Sequence, residues 1–174
     1  MSEFLNPEKV LSQLNLREDM IAADFGCGAG GWAIPLAKKL SAGLVYAVDI
    51  LSEPLSVLKS KAQLAKVSNI RTILADVSNI KEILERTCDL VLMTNLLFQC
   101  EDKKKVLEEG KRVLKDNGLI LVVDWKEEAR LSSEQPYVAL EEIKKLAQEI
   151  GLQVVQELDI SPSHYAIILK KERK

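Results

Sequence analysis

Asp24-Phe25-Gly26-Cys27-Gly28-Ala29-Gly30-Gly31 decides how the rest of the chain is read. The apolar run Met20 to Phe25 leads into it, and a helix-forming stretch, Gly30 to Leu40, leads out. A short apolar run stopped by glycines reads as a buried strand. Glycines at such a strand–helix junction let the backbone turn sharply and approach a ligand closely, with the next helix pointing its N-terminus at that ligand. In an open α/β sheet, ligands bind beyond the carboxyl ends of the strands. The stretch therefore predicts a loop that cradles a nucleotide-like cofactor. Gly26, Gly28 and Gly31 also satisfy the GxGxxG spacing of dinucleotide enzymes, so an NAD(P)-binding oxidoreductase stands as an alternative.

Outward from this loop, strand-like and helix-like segments alternate. Pro7 to Leu14 reads as a short helix with Asn6 as its cap and Pro7 at its first position. Leu44 to Asp49 is a strand, and Ser52 to Val67 a helix capped by Ser52, with Pro54 in its first turn. Ile70 to Ala75 is a strand, Asn79 to Arg86 a short helix, Asp89 to Thr94 a strand and Asp102 to Leu114 a helix. Asp116-Asn117-Gly118 reads as a turn before the fifth strand, Leu119 to Asp124. After a polar loop around Glu134 to Tyr137 comes a helix, Val138 to Ile150, stopped by Gly151. Strands separated by helices give a parallel sheet covered on both faces. Leu152 to Asp159 and Tyr165 to Lys170 are joined only by Ile160 to His164, a link that suits an antiparallel hairpin. The expected architecture is a doubly wound α/β sheet in one domain over residues 1–174, with residues 1–18 as a helical lead-in and 19–174 as the core.

Aspartates close the first three strands. Asp24, just before the glycines, would repel a pyrophosphate and favour a cationic amino group, such as that on the methionine part of S-adenosylmethionine. Asp49, at the end of the second strand, can accept both hydrogens of a ribose diol. Asp76, in Ala75-Asp76-Val77, can accept from an adenine amino group while the Val77 N–H donates to the ring. Strand-end aspartates are common turn formers, but three on one edge of a sheet point to a ligand.

These residues resemble the class I S-adenosylmethionine-dependent methyltransferases over nearly the whole chain. Asp24 to Gly30 matches that family's first motif, DxGxGxG. Val45-Tyr46-Ala47-Val48-Asp49 is similar to its second-strand motif, Leu74-Ala75-Asp76-Val77 to its adenine-binding motif, and Asp89 to Asn95 to its fourth strand. The resemblance implies a Rossmann-like seven-stranded sheet of order 3-2-1-4-5-7-6, with the seventh strand antiparallel. It implies S-adenosyl-L-methionine as cofactor, held by Asp24, Gly26, Cys27, Gly28, Gly30, Asp49, Ile50, Asp76, Val77 and Asn95. The tail, Val122 to Lys126 and His164 to Lys171, resembles small relatives of the quinone-biosynthesis and arsenite methyltransferases. Such relatives often carry a longer segment after the fifth strand than Glu127 to Tyr137. Part of the substrate cover is therefore expected to be missing, and a cofactor-binding module without turnover stands as a second alternative.

Methyl transfer asks an enzyme mainly to align donor and nucleophile and to exclude water. A base is needed only if the nucleophile must lose a proton, and no catalytic residue is assigned from sequence. The fourth strand ends Asn95-Leu96-Leu97-Phe98-Gln99, without the two prolines of many enzymes that methylate amide or exocyclic amino nitrogens. Leu96, Phe98, Trp125 and Tyr165 are expected to line an apolar acceptor pocket. His164, the single histidine, reads as structural beside Tyr165 at a hairpin turn.

Composition bounds the remaining possibilities. The 174 residues, 47% hydrophobic and 29% charged, suit one globular domain. A net charge of -2 argues against a nucleic-acid partner and leaves a small-molecule substrate. No apolar run reaches the ~18 residues that span a bilayer, and Met1 to Asn6 lacks the basic start of a signal peptide. Cys27, Cys88 and Cys100 form no CxxC, so neither a metal site nor a disulfide framework is expected. A cytoplasmic monomer or homodimer is the resulting expectation.

Overall fold

Alternating apolar side chains give the sheet two buried faces. In the computed structural model, which describes residues 5–172, the strands are Ile21–Phe25 (β1), Leu44–Asp49 (β2), Ile70–Leu74 (β3), Cys88–Thr94 (β4), Leu114–Trp125 (β5), Leu152–Leu158 (β6) and His164–Lys171 (β7). They pair in the order β3-β2-β1-β4-β5-β7-β6. The first five are parallel, and β7 runs antiparallel between β5 and β6. The helices are Pro7–Leu11 (α1), Ala33–Lys39 (α2), Ser52–Leu64 (α3), Lys103–Val113 (α4) and Leu140–Glu149 (α5).

Period-two alternation sorts the core. Ala22, Leu92, Val123 and Ile168 face α1, α2 and α3 through Leu11, Leu36 and Leu58. Ala23, Phe25, Met93, Val122 and Ile167 face α4 and α5 through Leu107 and Ile143. The parallel strands thus send all their carboxyl ends to one edge of the sheet.

Several local expectations need correction. Residues 79–86 form turns and no helix, because Arg112 of α4 claims the carbonyls. Its guanidinium donates to Ile80 O at 2.8 Å and Ile83 O at 2.9 Å, and Glu109 accepts from Ile80 N at 2.7 Å. Ser52 is the first residue of α3 and not its cap; the Asp49 carboxylate accepts from Leu51 N instead. The helix after the glycine loop begins at Ala33, since Gly30 and Gly31 are spent in turns. Asp116 to Gly118 lies within β5, in an irregular stretch: Cys88 pairs with Leu114 and Leu90 with Leu119, so the residues between bulge away from β4. Asn6 caps α1 as expected, accepting from Lys9 N at 3.2 Å. The expected lead-in, 1–18, begins on residues 1–4, outside those described. Among the described residues, no helix is long and apolar enough to cross a membrane.

Candidate active site

A cleft of about 560 Å³ opens at the carboxyl ends of β1, β2 and β3 and on the segment after β4. Gly26, Gly28, Asp49, Ile50, Asp76, Val77 and Leu96 line it together with Gln99, Cys100, Glu101, Asp102 and Lys105. Its size falls within the range of small-molecule sites.

The glycines divide the labour. Gly28, at φ +53°, has nothing within 4 Å of where a Cβ would stand, so its Cα faces open cleft. Gly26, at φ +69°, would put a Cβ 2.7 Å from Leu96 Cδ1, so it lets Leu96 close against the loop. Gly30 does not line the cleft; a Cβ there would meet Leu58 Cγ at 2.9 Å, so it serves packing on α3. Cys27 is buried in the core facing α2, and that burial pushes its thiol up, aided by the Asp24 and Asp49 charges.

The strand-end aspartates differ sharply in environment. Asp24 is fully buried, and neither carboxylate oxygen has a hydrogen-bond partner. Burial, reinforced by the Asp49 charge, pushes its carboxyl up to about 8. The Ala33 N–H offsets this only partly, from outside hydrogen-bonding geometry. Asp49 is already engaged: Oδ2 accepts from Gly28 N at 2.9 Å and Oδ1 from Leu51 N at 3.0 Å. It braces the glycine loop, and each oxygen keeps a second lone pair for a ligand. Asp76 is exposed and closes a turn, accepting from Ser78 N at 2.8 Å and Ser78 Oγ at 2.7 Å, which holds its carboxyl below the usual range.

Asn95 leaves β4 in the left-handed region, at φ +50°, with its amide oxygen buried and unpartnered. A non-glycine residue held there is strained, and such strain clusters at binding sites. Asp24 and Asn95 therefore leave three buried, unpartnered oxygens where β1 and β4 end, although neither residue is among those that line the cleft. Leaving such groups buried is costly unless a donor arrives. An ammonium, which only donates, fits that acceptor set. A pyrophosphate does not, because the cleft lining adds the carboxylates of Asp49, Asp76, Glu101 and Asp102 against the single ammonium of Lys105.

The expected acceptor residues do not share one pocket. Leu96 lines the cleft. Tyr165 is buried among the residues under α4 and α5, with half-buried Phe98 against them, and its hydroxyl donates to Val138 O at 3.0 Å. Trp125 pairs across the strands with His164, and Asp124 with Tyr165. The alternation of β5 thus sets Trp125 on the opposite face from Tyr165. Its ring lies 4.0 Å from the His164 ring. His164 is structural in that its Nδ1 meets Ser163 Oγ at 2.9 Å, while burial and then the Lys126 charge lower its pKa. Sequence reasoning missed Asp124, which is fully buried at the end of β5. A fourth strand-end aspartate was its signal. The wall from Gln99 to Lys105 gave none, since it lines the cleft only by the way the chain folds back after β4.

A family model described as a methyltransferase domain matches residues 23–122. The chain belongs to the methyltransferase family. The demethylmenaquinone methyltransferase of Staphylococcus aureus (strain MRSA252) is 29% identical over 118 residues, which is 67% of this chain and 48% of that protein. The demethylmenaquinone methyltransferase of Oceanobacillus iheyensis is 25% identical over 128 residues, 73% of this chain and 53% of that protein. The chain spans about half the length of these curated relatives. A crystal structure of a SAM dependent methyltransferase from Aquifex aeolicus superposes with a TM-score of 0.84 at 25% identity, covering 95% of this chain and 89% of that one. The cyclase SpnF shares the fold at a TM-score of 0.82 but only 13% identity, covering 97% of this chain and 81% of that one. The methyltransferase fold thus carries more than one kind of reaction, and residues must decide which. Family and fold together imply S-adenosylmethionine as cofactor and leave the oxidoreductase alternative without support.

Proposed function

We propose that this methyltransferase-family protein transfers a methyl group from S-adenosylmethionine to a small, partly apolar acceptor. The observation that carries the reading is the buried, unpartnered Asp24 carboxyl beside the open glycine turn. Asp24 and the Asn95 amide oxygen would take the amino group of the cofactor's methionine part. Asp49 would take the ribose hydroxyls while bracing Gly28, and Ile50, Asp76 and Val77 would hold the adenine. Gly26 and Leu96 would close the site against water. When bound, the cofactor supplies a methyl on a sulfonium together with its leaving group. The chain's own task is then alignment and exclusion of water, which requires no proton-transfer residue unless the acceptor must ionise.

The relatives named for demethylmenaquinone direct attention to acceptors of the quinone class. The unit is read as one domain acting in the cytoplasm, with α1 as a lead-in. Calorimetry with S-adenosylhomocysteine and with NADH tests the cofactor: binding of the first and not the second is expected, and the reverse sinks the reading. Transfer from labelled S-adenosylmethionine to a panel of small hydroxylated, thiol and carbon acceptors tests turnover. Cofactor binding with no transfer to any of them would favour a binding module. The largely exposed run from Glu127 to Pro136, with Leu131 96% exposed and only Ala129, Arg130 and Gln135 half-buried, gives that second reading its support.

A further inference from the structure

The cleft wall from Asn95 to Cys100 packs Leu96 and Leu97 into the core beside β1, β4 and β5, but few hydrogen bonds tie it to the sheet. Gln99 N donates to Leu96 O, Cys100 N to Leu97 O, and Gln99 Nε2 to Asn95 O, all within the segment. Among the described residues, two hydrogen bonds reach β5: Asn95 N donates to Val123 O at 2.8 Å, and Phe98 N to Asp124 Oδ2 at 3.3 Å. Asp124 Oδ1 accepts from Trp125 N at 2.9 Å. Asp124 is therefore the side chain that, among the described residues, hydrogen-bonds this wall to the sheet. Leu96, Gln99 and Cys100 of that wall face the cleft.

We infer that Asp124 is a positioning residue for cofactor binding: its ionised carboxylate fixes the Leu96–Cys100 wall against β5. The inference rests on the cofactor reading above. A hydrogen bond to a charged acceptor is about twice as strong as one to a neutral acceptor, so the wall is held more firmly when Asp124 is ionised. Burial pushes this carboxyl up to about 6, against the Trp125, Phe98 and Leu97 N–H groups and the Lys103 charge. The charged and titratable groups facing it are Lys103 at the start of α4, Cys100 before α4 and Tyr165 on β7. Burial also pushes the Cys100 and Tyr165 groups up, so both stay neutral at neutral pH and Lys103 is the one opposing charge. A fully buried carboxylate costs stability that a neutral residue would not. Its presence is explained if the charge secures the wall.

The test compares the full chain with Asp124→Asn and Asp124→Ala by calorimetry with S-adenosylhomocysteine from pH 5 to pH 8. Relative to Asp124→Asn, wild-type affinity should fall about fivefold as pH drops through about 6, the loss expected when one charge-assisted hydrogen bond becomes neutral, while the pH dependence that Asp24 gives binding is common to both proteins. Asp124→Asn should bind about fivefold more weakly than wild type at pH 8 and about equally at pH 5. Amide NMR gives a readout independent of binding. The Phe98 and Trp125 amide protons should titrate together near pH 6 in the wild type and not in Asp124→Asn. Cooperative melting of each variant separates loss of positioning from loss of fold, and the wild-type amide titration stands even if both variants unfold. Amides that do not titrate, or an Asp124→Asn affinity equal to wild type across the range, would overturn the inference. A wild type that fails to bind S-adenosylhomocysteine would instead sink the cofactor reading.

Discussion

Asp24 is a residue whose environment suits a ligand better than it suits the free protein. Its carboxyl sits at about 8 because burial opposes the charged form. A carboxyl raised in the folded state stabilises the fold most fully below its unfolded value near 3.8, and that contribution is lost as pH climbs through about 8. The ligand-free protein should therefore lose melting temperature from about pH 5 to about pH 8 and level off above that, and Asp24→Asn should flatten the loss. An ammonium placed against Asp24 favours the carboxylate, so binding at pH 7 should release about one proton per cofactor. Calorimetry of S-adenosylhomocysteine in buffers of different ionisation enthalpy measures this directly; a buffer-independent heat would refute it. Two substitutions separate ligand geometry from fold at the same scale. Gly28→Ala adds a Cβ where nothing stands within 4 Å, so it should cost about 1 kcal/mol of stability through its left-handed φ. It should nonetheless weaken S-adenosylhomocysteine binding by more than about tenfold by filling the cradle. Asp49→Ala should cost about 1–3 kcal/mol of binding, because it removes the brace on Gly28 as well as an acceptor for buried hydroxyls.

At the scale of elements, what could be read from sequence was what local pattern controls. The β1–glycine–α2 junction, the β2 and β3 ends and the β6–β7 hairpin depend on apolar periodicity and on turn residues, and each is close to its expected place. Segment 79–86 was illegible because its conformation is set from elsewhere. Arg112, 32 residues away from Ile80 in sequence, supplies the donors that its carbonyls would otherwise find in a helix. The split acceptor set has a similar origin: spacing along β5 was visible, but which of Asp124 and Trp125 faces α4 follows from the pairing with β7. Arg112→Ala should test the first point. It leaves Glu109, with a side chain only 10% exposed, without the guanidinium that holds its carboxyl low, and it frees the carbonyls of Ile80 and Ile83. A loss of about 2 kcal/mol is expected, less than for a fully buried pair because the guanidinium is partly solvated. Urea unfolding would show it, and a stability change under about 0.5 kcal/mol would mean that other contacts hold 79–86 in place.

For the whole molecule, charge and the shape of one edge constrain the methyl acceptor. The net charge of -2 gives no long-range attraction for phosphates. The cleft repeats that bias locally, with the carboxylates of Asp49, Asp76, Glu101 and Asp102 around one lysine. A polyanionic acceptor would have to approach this edge against its field, whereas a neutral acceptor would not. The apolar side chain of Leu96, on the segment that follows β4, lines the cleft and closes against Gly26 at the end of β1. Transfer to a small neutral acceptor should accordingly change by less than about twofold between 50 and 500 mM salt, because no counterions are released on binding. Methyl transfer to RNA would show the opposite signature, a rate falling steeply with salt as each phosphate contact is lost. Labelled methyl appearing in RNA with that steep dependence, and in none of the small acceptors, would overturn the small-molecule reading while leaving the cofactor cleft as described.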